Sequence, residues 1–292
     1  MFIPKNYGYE RSMNTYLQSV QYTEQHLTQE LSQHGFLSLC QANIELFQRH
    51  LRHSFSYAQF VERTARAKNP LEHYDDLISY ISLYGMAHYQ RFTHLFSCGM
   101  QAGINIPDEK LQIIDYGCGQ GIATLAVLEK IATFSKIPKL IHITLIEPSA
   151  LSLQRAITWV KYRAKALNLN VEIELHQQYF DCLQTQKTTE LNEVCLHLYS
   201  NILDMYLAHR FNMQHLIQLG KNQAEHNYHL AISPDFLMGN QGFEEFLKLQ
   251  QPQHLIYNVR DSIRVDEYMF KLNTFHQRYA PVRASISYVR EL

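Results

Sequence analysis

Three glycines at every second position, Gly117, Gly119 and Gly121, follow an apolar run ending in Asp115 and lead into the apolar start of a helix at Ile122-Ala123. The run 111–115 reads as a strand that delivers an acid to the carboxyl edge of a sheet, where open α/β folds bind ligands. Glycines let the backbone turn sharply and let a ligand approach main-chain atoms that a Cβ would shield. The spacing differs from the dinucleotide fingerprint G-x-G-x-x-G in its third gap and in the acid just upstream.

A second signal follows in order. Residues 139–146 (Lys-Leu-Ile-His-Ile-Thr-Leu-Ile) are apolar and β-branched, and they end in Glu147-Pro148-Ser149. An acid that closes the second strand after a glycine loop suits a ribose, because a carboxylate accepts hydrogen bonds from both hydroxyls. Nicotinamide and S-adenosylmethionine sites share that feature. The pattern Asp-x-Gly-x-Gly-x-Gly resembles the first motif of the class I S-adenosylmethionine-dependent methyltransferases, and both the glycine spacing and Asp115 favour that family.

The resemblance implies S-adenosylmethionine as cofactor and S-adenosylhomocysteine as product, with Asp115, Gly117, Cys118, Gly119, Gly121, Glu147 and Pro148 at the cofactor. In Gln178-Tyr179-Phe180-Asp181, it implies that Asp181 accepts the adenine amino group while Phe180 packs on the ring. The fourth strand ends in Tyr199-Ser200-Asn201-Ile202-Leu203-Asp204. The resemblance puts Ser200 beside the sulfonium. The Asn/Asp-Pro-Pro-Tyr/Phe run of enzymes that methylate the exocyclic amines of bases is absent. Tyr80, Tyr84, His88 and Arg91 recur at near-helical spacing before the first motif. Arg91 would fork onto the methionine carboxylate, and Tyr84 would cover the sulfonium with its ring. His88, Tyr199 and Asn201 are the candidates for the acceptor side. Simpler roles compete for several of these residues: a cap for Asp181 or Asp204, a turn for Asn201, and helix core for Tyr84.

From residue 111 strands and helices alternate, the mark of a parallel sheet. Strands are predicted at 111–115, 140–147, 171–175, 193–199 and 228–233, and two more at 254–258 and 282–289 as an antiparallel edge. Helices are predicted at 121–134, 150–167, 203–219, 242–249 and 265–276. The first hundred residues read as helices. Met13, Leu17, Val20, Leu27 and Leu31 share a face that stops at Gly35, and Cys40, Ile44, Phe47 and Leu51 share another. Ser56 caps a third helix, and Asn69-Pro70 marks the start of a fourth, which Gly85 ends or kinks. The fold expected is α/β: a seven-stranded, mostly parallel, doubly wound sheet with an antiparallel edge pair and an N-terminal all-helical region. Residues 1–108 would be a lid, a dimerisation element or both, and 109–292 the Rossmann-like cofactor domain.

Charge weighs against a dedicated nucleic-acid binder, since Lys plus Arg is 26 against 27 for Asp plus Glu, and phosphate contacts usually leave a basic excess. Arg49, Arg52, His53, Arg63, Arg66 and Lys68 form a modest basic cluster that solvated helix faces explain. Five cysteines, none in C-x-x-C spacing, indicate neither a disulfide framework nor a metal site. Residues 1–10 lack the apolar core of a signal peptide, and no run of about 18 apolar residues would span a membrane. A cytoplasmic enzyme with a small-molecule substrate, and a homodimer through the N-terminal helices, is the expectation. Two other readings stay open: a non-catalytic module that keeps the methyltransferase fold to bind a partner, and a nucleotide-linked oxidoreductase.

Overall fold

The computed structural model describes residues 7–66, 68–184, 192–209, 211–221 and 223–290; side chains are described from residue 19 onward. The readings of Met13, Leu17 and the N-terminal ten residues therefore lie outside the described side chains. Seven strands form one sheet: β1 (Lys110–Tyr116), β2 (Leu140–Ile146), β3 (Val171–His176), β4 (Asn192–Ser200), β5 (Ala224–Pro234), β6 (His254–Met269) and β7 (Thr274–Arg290). Their order is β3-β2-β1-β4-β5-β7-β6. The first five pair in parallel, β7 runs antiparallel to β5, and β6 antiparallel to β7. This is the doubly wound sheet with an antiparallel edge that the resemblance implies. The direction of winding reverses between β1 and β4, which opens a crevice beyond their carboxyl ends.

Both faces of β1 are covered, as a central parallel strand requires. Alternation sorts the side chains of β1 and β4 between two cores. Ile113, Leu196 and Leu198 join Trp159, Phe36 and Phe92 on one face. Tyr116, Cys195 and Tyr199 join Phe243 and Phe246 on the other. The first core also takes Leu27 and Leu31 from α1 (Tyr7–His34) and Leu39 and Ile44 from α2 (Phe36–Leu46). The N-terminal helices and the sheet thus share one interior. Gly35 separates α1 from α2, as the sequence predicts, and Ser56 caps α3 (Tyr57–Thr64). None of the helices described is long and apolar enough to cross a membrane.

Four boundaries differ from the sequence reading. The helix signalled by Asn69-Pro70 begins later, as α4 (Tyr74–Tyr80), because the carbonyl of Leu71 is held by the Ser149 hydroxyl at 2.6 Å in a non-helical approach segment. Gly85 does not end the helix: α4 runs through a π-helical turn (Ile81–Gly85) into α5 (Met86–Gln101). The helix predicted at 203–219 is broken into a 3₁₀ turn (Leu203–Met205), α8 (Tyr206–His209) and α9 (Met213–Leu219). Asn212 causes the last break by accepting the His215 N–H at 3.0 Å as an N-cap.

The fourth difference is a change of type. Residues 265–276 are not a helix but the distal part of a β6–β7 hairpin, which continues past the last β5 partner, Pro234, paired with Val282. Val265 and Tyr268 are buried three positions apart, so the apolar spacing imitates a helix turn. Ladder pairing decides otherwise, and Asn273, at φ 56°, makes the hairpin turn without a glycine. Gln90 of α5 pins the extension, donating to the Asp266 carboxylate and accepting the Asp266 N–H, each at 2.7 Å.

After β5 comes α10 (Leu237–Gln250), which packs on the 3₁₀ turn that follows β4. A Cβ built at Gly242 would stand 1.8 Å from the Leu203 carbonyl oxygen, so only glycine permits this approach. Gly242→Ala should therefore lower stability by about 1–3 kcal/mol, the scale of an overpacked core. An unchanged urea midpoint would show that the two elements do not press together.

Candidate functional site

The glycine loop is fixed from both sides. Gly117 and Gly119 adopt φ 62° and 53°, and a Cβ at Gly119 would meet nothing within 4 Å. A side chain there would project into open cleft. The Cys118 N–H donates to the Ile146 carbonyl at 2.9 Å, and the Gly119 N–H to Glu147 Oε2 at 3.0 Å. Glu147 Oε1 accepts the Ser149 N–H at 2.9 Å, which bends the chain into α7 (Ala150–Ala166). Burial raises the Glu147 carboxyl to about 7, against the pull of those two N–H groups.

Asp115 stands one layer back. Its Oδ2 accepts the Thr124 hydroxyl at 2.7 Å and the Thr124 N–H at 3.3 Å, which fastens the start of α6 (Ile122–Ile131). Burial raises this carboxyl to about 7 as well. Cys118 and Gly121 also lie behind the surface: the thiol is buried and pushed up in pKa by desolvation, and Gly121 lets α7 approach at Ala156. Of the seven residues of the first two motifs, Gly117, Gly119, Glu147 and Pro148 line the cleft; Asp115, Cys118 and Gly121 hold its floor.

The cleft encloses about 760 Å³ along the carboxyl edge of the sheet. Phe180 and Tyr179 bound it beyond β3, Asn201 and Asp204 lie past β4, and Glu267 and Arg278 of the hairpin close the far end. Tyr80, Tyr84, His88 and Arg91 form the opposite wall. The Tyr80 hydroxyl and His88 Nδ1 are 3.1 Å apart, and the Tyr84 ring stacks on His88 at 5.9 Å. Desolvation, then the Arg91 charge, lowers the His88 imidazole to about 3, so it stays neutral. Arg91 is only 6% exposed, yet its Nε has no hydrogen-bond partner among the described residues. A buried guanidinium N–H without an acceptor is costly, and this one borders a cavity.

The β4 edge divides the remaining sequence candidates. Ser200 and Asn201 line the cleft; Asn201 sits at φ 57°, its amide donating to the Ser200 hydroxyl at 3.1 Å while its own Oδ1 is buried without a partner. Tyr199 is a correction. Strand alternation turns it to the opposite core, where it stacks on Tyr116 at 4.9 Å and bonds His229 at 3.1 Å, fully buried. Asp181 is another. It is exposed and accepts the Asn212 N–H at 3.2 Å, so it serves the approach to α9 and is not among the lining residues, whereas Phe180 is.

Sequence reasoning missed the brace behind the loop. Gln120 lines the cleft, accepts Arg155 Nη1 at 2.7 Å and donates to the Leu77 carbonyl at 3.3 Å. Arg155 in turn pairs with Glu24 of α1, which also accepts the Tyr74 hydroxyl at 2.6 Å. Partners 131 residues apart leave no local signal. Two members of the basic cluster, Arg66 and Lys68, line the cleft mouth, while Arg63 pairs with the buried Asp76. No group of His, Cys, Asp and Glu able to hold a metal ion occurs among the described residues.

No protein-family model matches the chain, and no curated protein matches its sequence. Several of the solved structures it resembles are described as methyltransferases. A protein described as a class I S-adenosylmethionine-dependent methyltransferase from Listeria monocytogenes is 16% identical, with a TM-score of 0.38 over 91% of this chain and 88% of that one. A domain described as a precorrin-6Y C5,15-methyltransferase from Corynebacterium diphtheriae is 14% identical, with a TM-score of 0.39 over 68% and 96%. The human methyltransferase 10 domain containing protein is 11% identical, with a TM-score of 0.38 over 68% and 82%.

Glu24→Gln should leave the Arg155 charge buried without its counter-ion and lower stability by about 3 kcal/mol. Urea denaturation checks this; a change below about 0.5 kcal/mol would mean the pair behaves like an exposed one.

Proposed function

We propose that the chain binds S-adenosylmethionine along this cleft and transfers its methyl group to a small-molecule acceptor. The observation that carries the proposal is Glu147: a buried carboxylate at the tip of β2, held by the Gly119 N–H, with lone pairs left for two ribose hydroxyls. The remaining residues suit the cofactor. Gly119 leaves open space over the loop, Pro148 and Phe180 offer apolar contact to a purine, and Arg91, whose Nε lacks an acceptor among the described residues, suits the methionine carboxylate. The Tyr84 face suits a cationic sulfur. With Asp181 committed to Asn212, adenine recognition falls to the Phe180 side of the cleft rather than to that acid.

When bound, S-adenosylmethionine supplies a methyl group already activated by a positively charged sulfur. The chain's own work is then to hold donor and acceptor at attack distance and to exclude water. The wall of Tyr80, Tyr84 and His88 does the excluding, and Gln120, braced by Arg155 and Glu24, keeps the loop in place. His88 and Asn201 face the acceptor and orient it. Neither serves as a strong base, since His88 is disfavoured as a cation and Asn201 does not titrate. The segments that carry Val61, Arg66, Lys68, Tyr80, Tyr84, His88 and Arg91 act in this proposal as the roof of the site.

Calorimetry with S-adenosylhomocysteine is the test, and absence of heat and of any thermal shift would refute the proposal. Glu147→Ala should weaken binding by about 1–3 kcal/mol. Because Glu147 must be ionised to accept both hydroxyls and its carboxyl lies at about 7, affinity should rise from pH 6 to pH 8, and Glu147→Gln should abolish that rise. Arg91→Met should weaken S-adenosylhomocysteine but spare 5′-methylthioadenosine, which lacks the amino-acid carboxylate. Equal losses for both ligands would place Arg91 elsewhere.

A further inference from the structure

Asp204 lies in the 3₁₀ turn after β4, is half-buried and lines the cleft. Its Oδ1 accepts the Ser233 hydroxyl of β5 at 3.2 Å, its own backbone N–H also bonds the carboxylate, and no further donor to it occurs among the described residues. The other acids of the cleft wall have a donor on each oxygen, and the lone pairs left on Glu147 are those proposed above for the ribose. Glu147 uses both oxygens on backbone N–H groups, and Glu267 is tied to Arg278 at 2.5 Å. Asp204 has no ion pair among the described residues.

The turn that carries Asp204 is held rigidly from behind. Gly239 and Gly242, three apart on α10, let that helix touch it: a Cβ at Gly239 would lie 3.0 Å from Asp204 Cβ, and one at Gly242 would collide with the Leu203 carbonyl. Glycine inside a helix destabilises by about 1 kcal/mol relative to alanine, so two on one face call for a reason, and this close approach supplies it. The charged and titratable groups facing Asp204 are Lys68 from the loop after α3, and Arg91 and Tyr80 from the helical wall. Burial raises its carboxyl to about 6, with Lys68 and Ser233 opposing. It is ionised at neutral pH yet able to take a proton.

We propose that Asp204 takes the proton of the methyl acceptor, which fits the site to a hydroxyl acceptor. This rests on the methyltransferase reading above. A neutral amine attacks through its own lone pair and can shed a proton afterwards. A hydroxyl is a weak nucleophile until its proton leaves. Asp204 Oδ2 takes that proton while the acceptor oxygen forms the bond to the methyl carbon. The pair of the broken C–S bond stays on sulfur, which becomes a neutral thioether, and the proton passes from Asp204 to solvent.

The test uses sinefungin, an analogue that carries an ammonium where S-adenosylmethionine carries its methyl sulfonium, against neutral S-adenosylhomocysteine. An ionised Asp204 at the acceptor end should make sinefungin bind about fivefold or more tighter at pH 8, the scale of one partly buried charge pair. That preference should fall as pH drops through 6 to 5. Titration of Glu147 affects both ligands through their common ribose and cancels in the ratio. Asp204→Asn should keep S-adenosylhomocysteine affinity within about twofold and lose the preference. A preference that survives in Asp204→Asn, or a wild-type ratio flat from pH 8 to pH 5, overturns the proposal. The wild-type pH series decides alone should the variant not fold. Failure of wild type to bind S-adenosylhomocysteine would instead sink the underlying reading.

Discussion

The N–H of Gly119 points at the carboxylate of Glu147, and that contact of 3.0 Å sets the floor of the cleft. It joins the loop after β1 to the tip of β2, so the two strands cannot shift in register without breaking it. Everything that borders the cavity is measured from there. The glycine loop keeps its left-handed turns, α6 begins where Asp115 can reach Thr124, and α7 begins where Glu147 has used its second oxygen on Ser149. A side chain at position 119 would enter the space this contact frames, and at φ 53° it would also strain the loop.

Burying charge is unfavourable, and the distribution of partners shows where the fold tolerates it. Asp115, Arg155 and Asp76 are enclosed, and each is satisfied by Thr124, by Glu24 with Gln120, and by Arg63 respectively. Arg91 Nε lacks an acceptor and Asp204 lacks an ion pair among the described residues, and both residues line the cleft wall. Unmet hydrogen-bonding capacity at a cavity is what a ligand of complementary charge can satisfy. The buried Oδ1 of Asn201, on the same β4 edge, adds to it.

How much of this is legible in the sequence depends on how local the chemistry is. The strand, the three glycines and the second strand's acid lie within 37 residues and each obeys a short-range rule, so the floor of the site can be read directly. The wall can be read in part, since Tyr80, Tyr84, His88 and Arg91 repeat at helical spacing, though the π-helical turn at Ile81–Gly85 shifts their phase in a way no local signal reveals. Tyr199 is misplaced because its neighbour Ser200 is the one strand alternation turns toward the cleft. Asp181 is misplaced because an exposed acid after a strand fits a cap as well as a ligand, and only the position of Asn212 chooses. The hairpin that closes the far end reads as a helix: Val265, Tyr268 and Met269 have helical spacing, and its turn uses Asn273 rather than glycine. The Glu24–Arg155–Gln120 brace is set by tertiary contact alone.

Native mass spectrometry of the purified protein, before and after S-adenosylhomocysteine is added, addresses the central claim most directly. The account predicts one bound adenosyl ligand per chain, displaced or absent when Gly119 is replaced by arginine. A chain that stays ligand-free in excess S-adenosylhomocysteine, or that takes up a nicotinamide dinucleotide in its place, would contradict it.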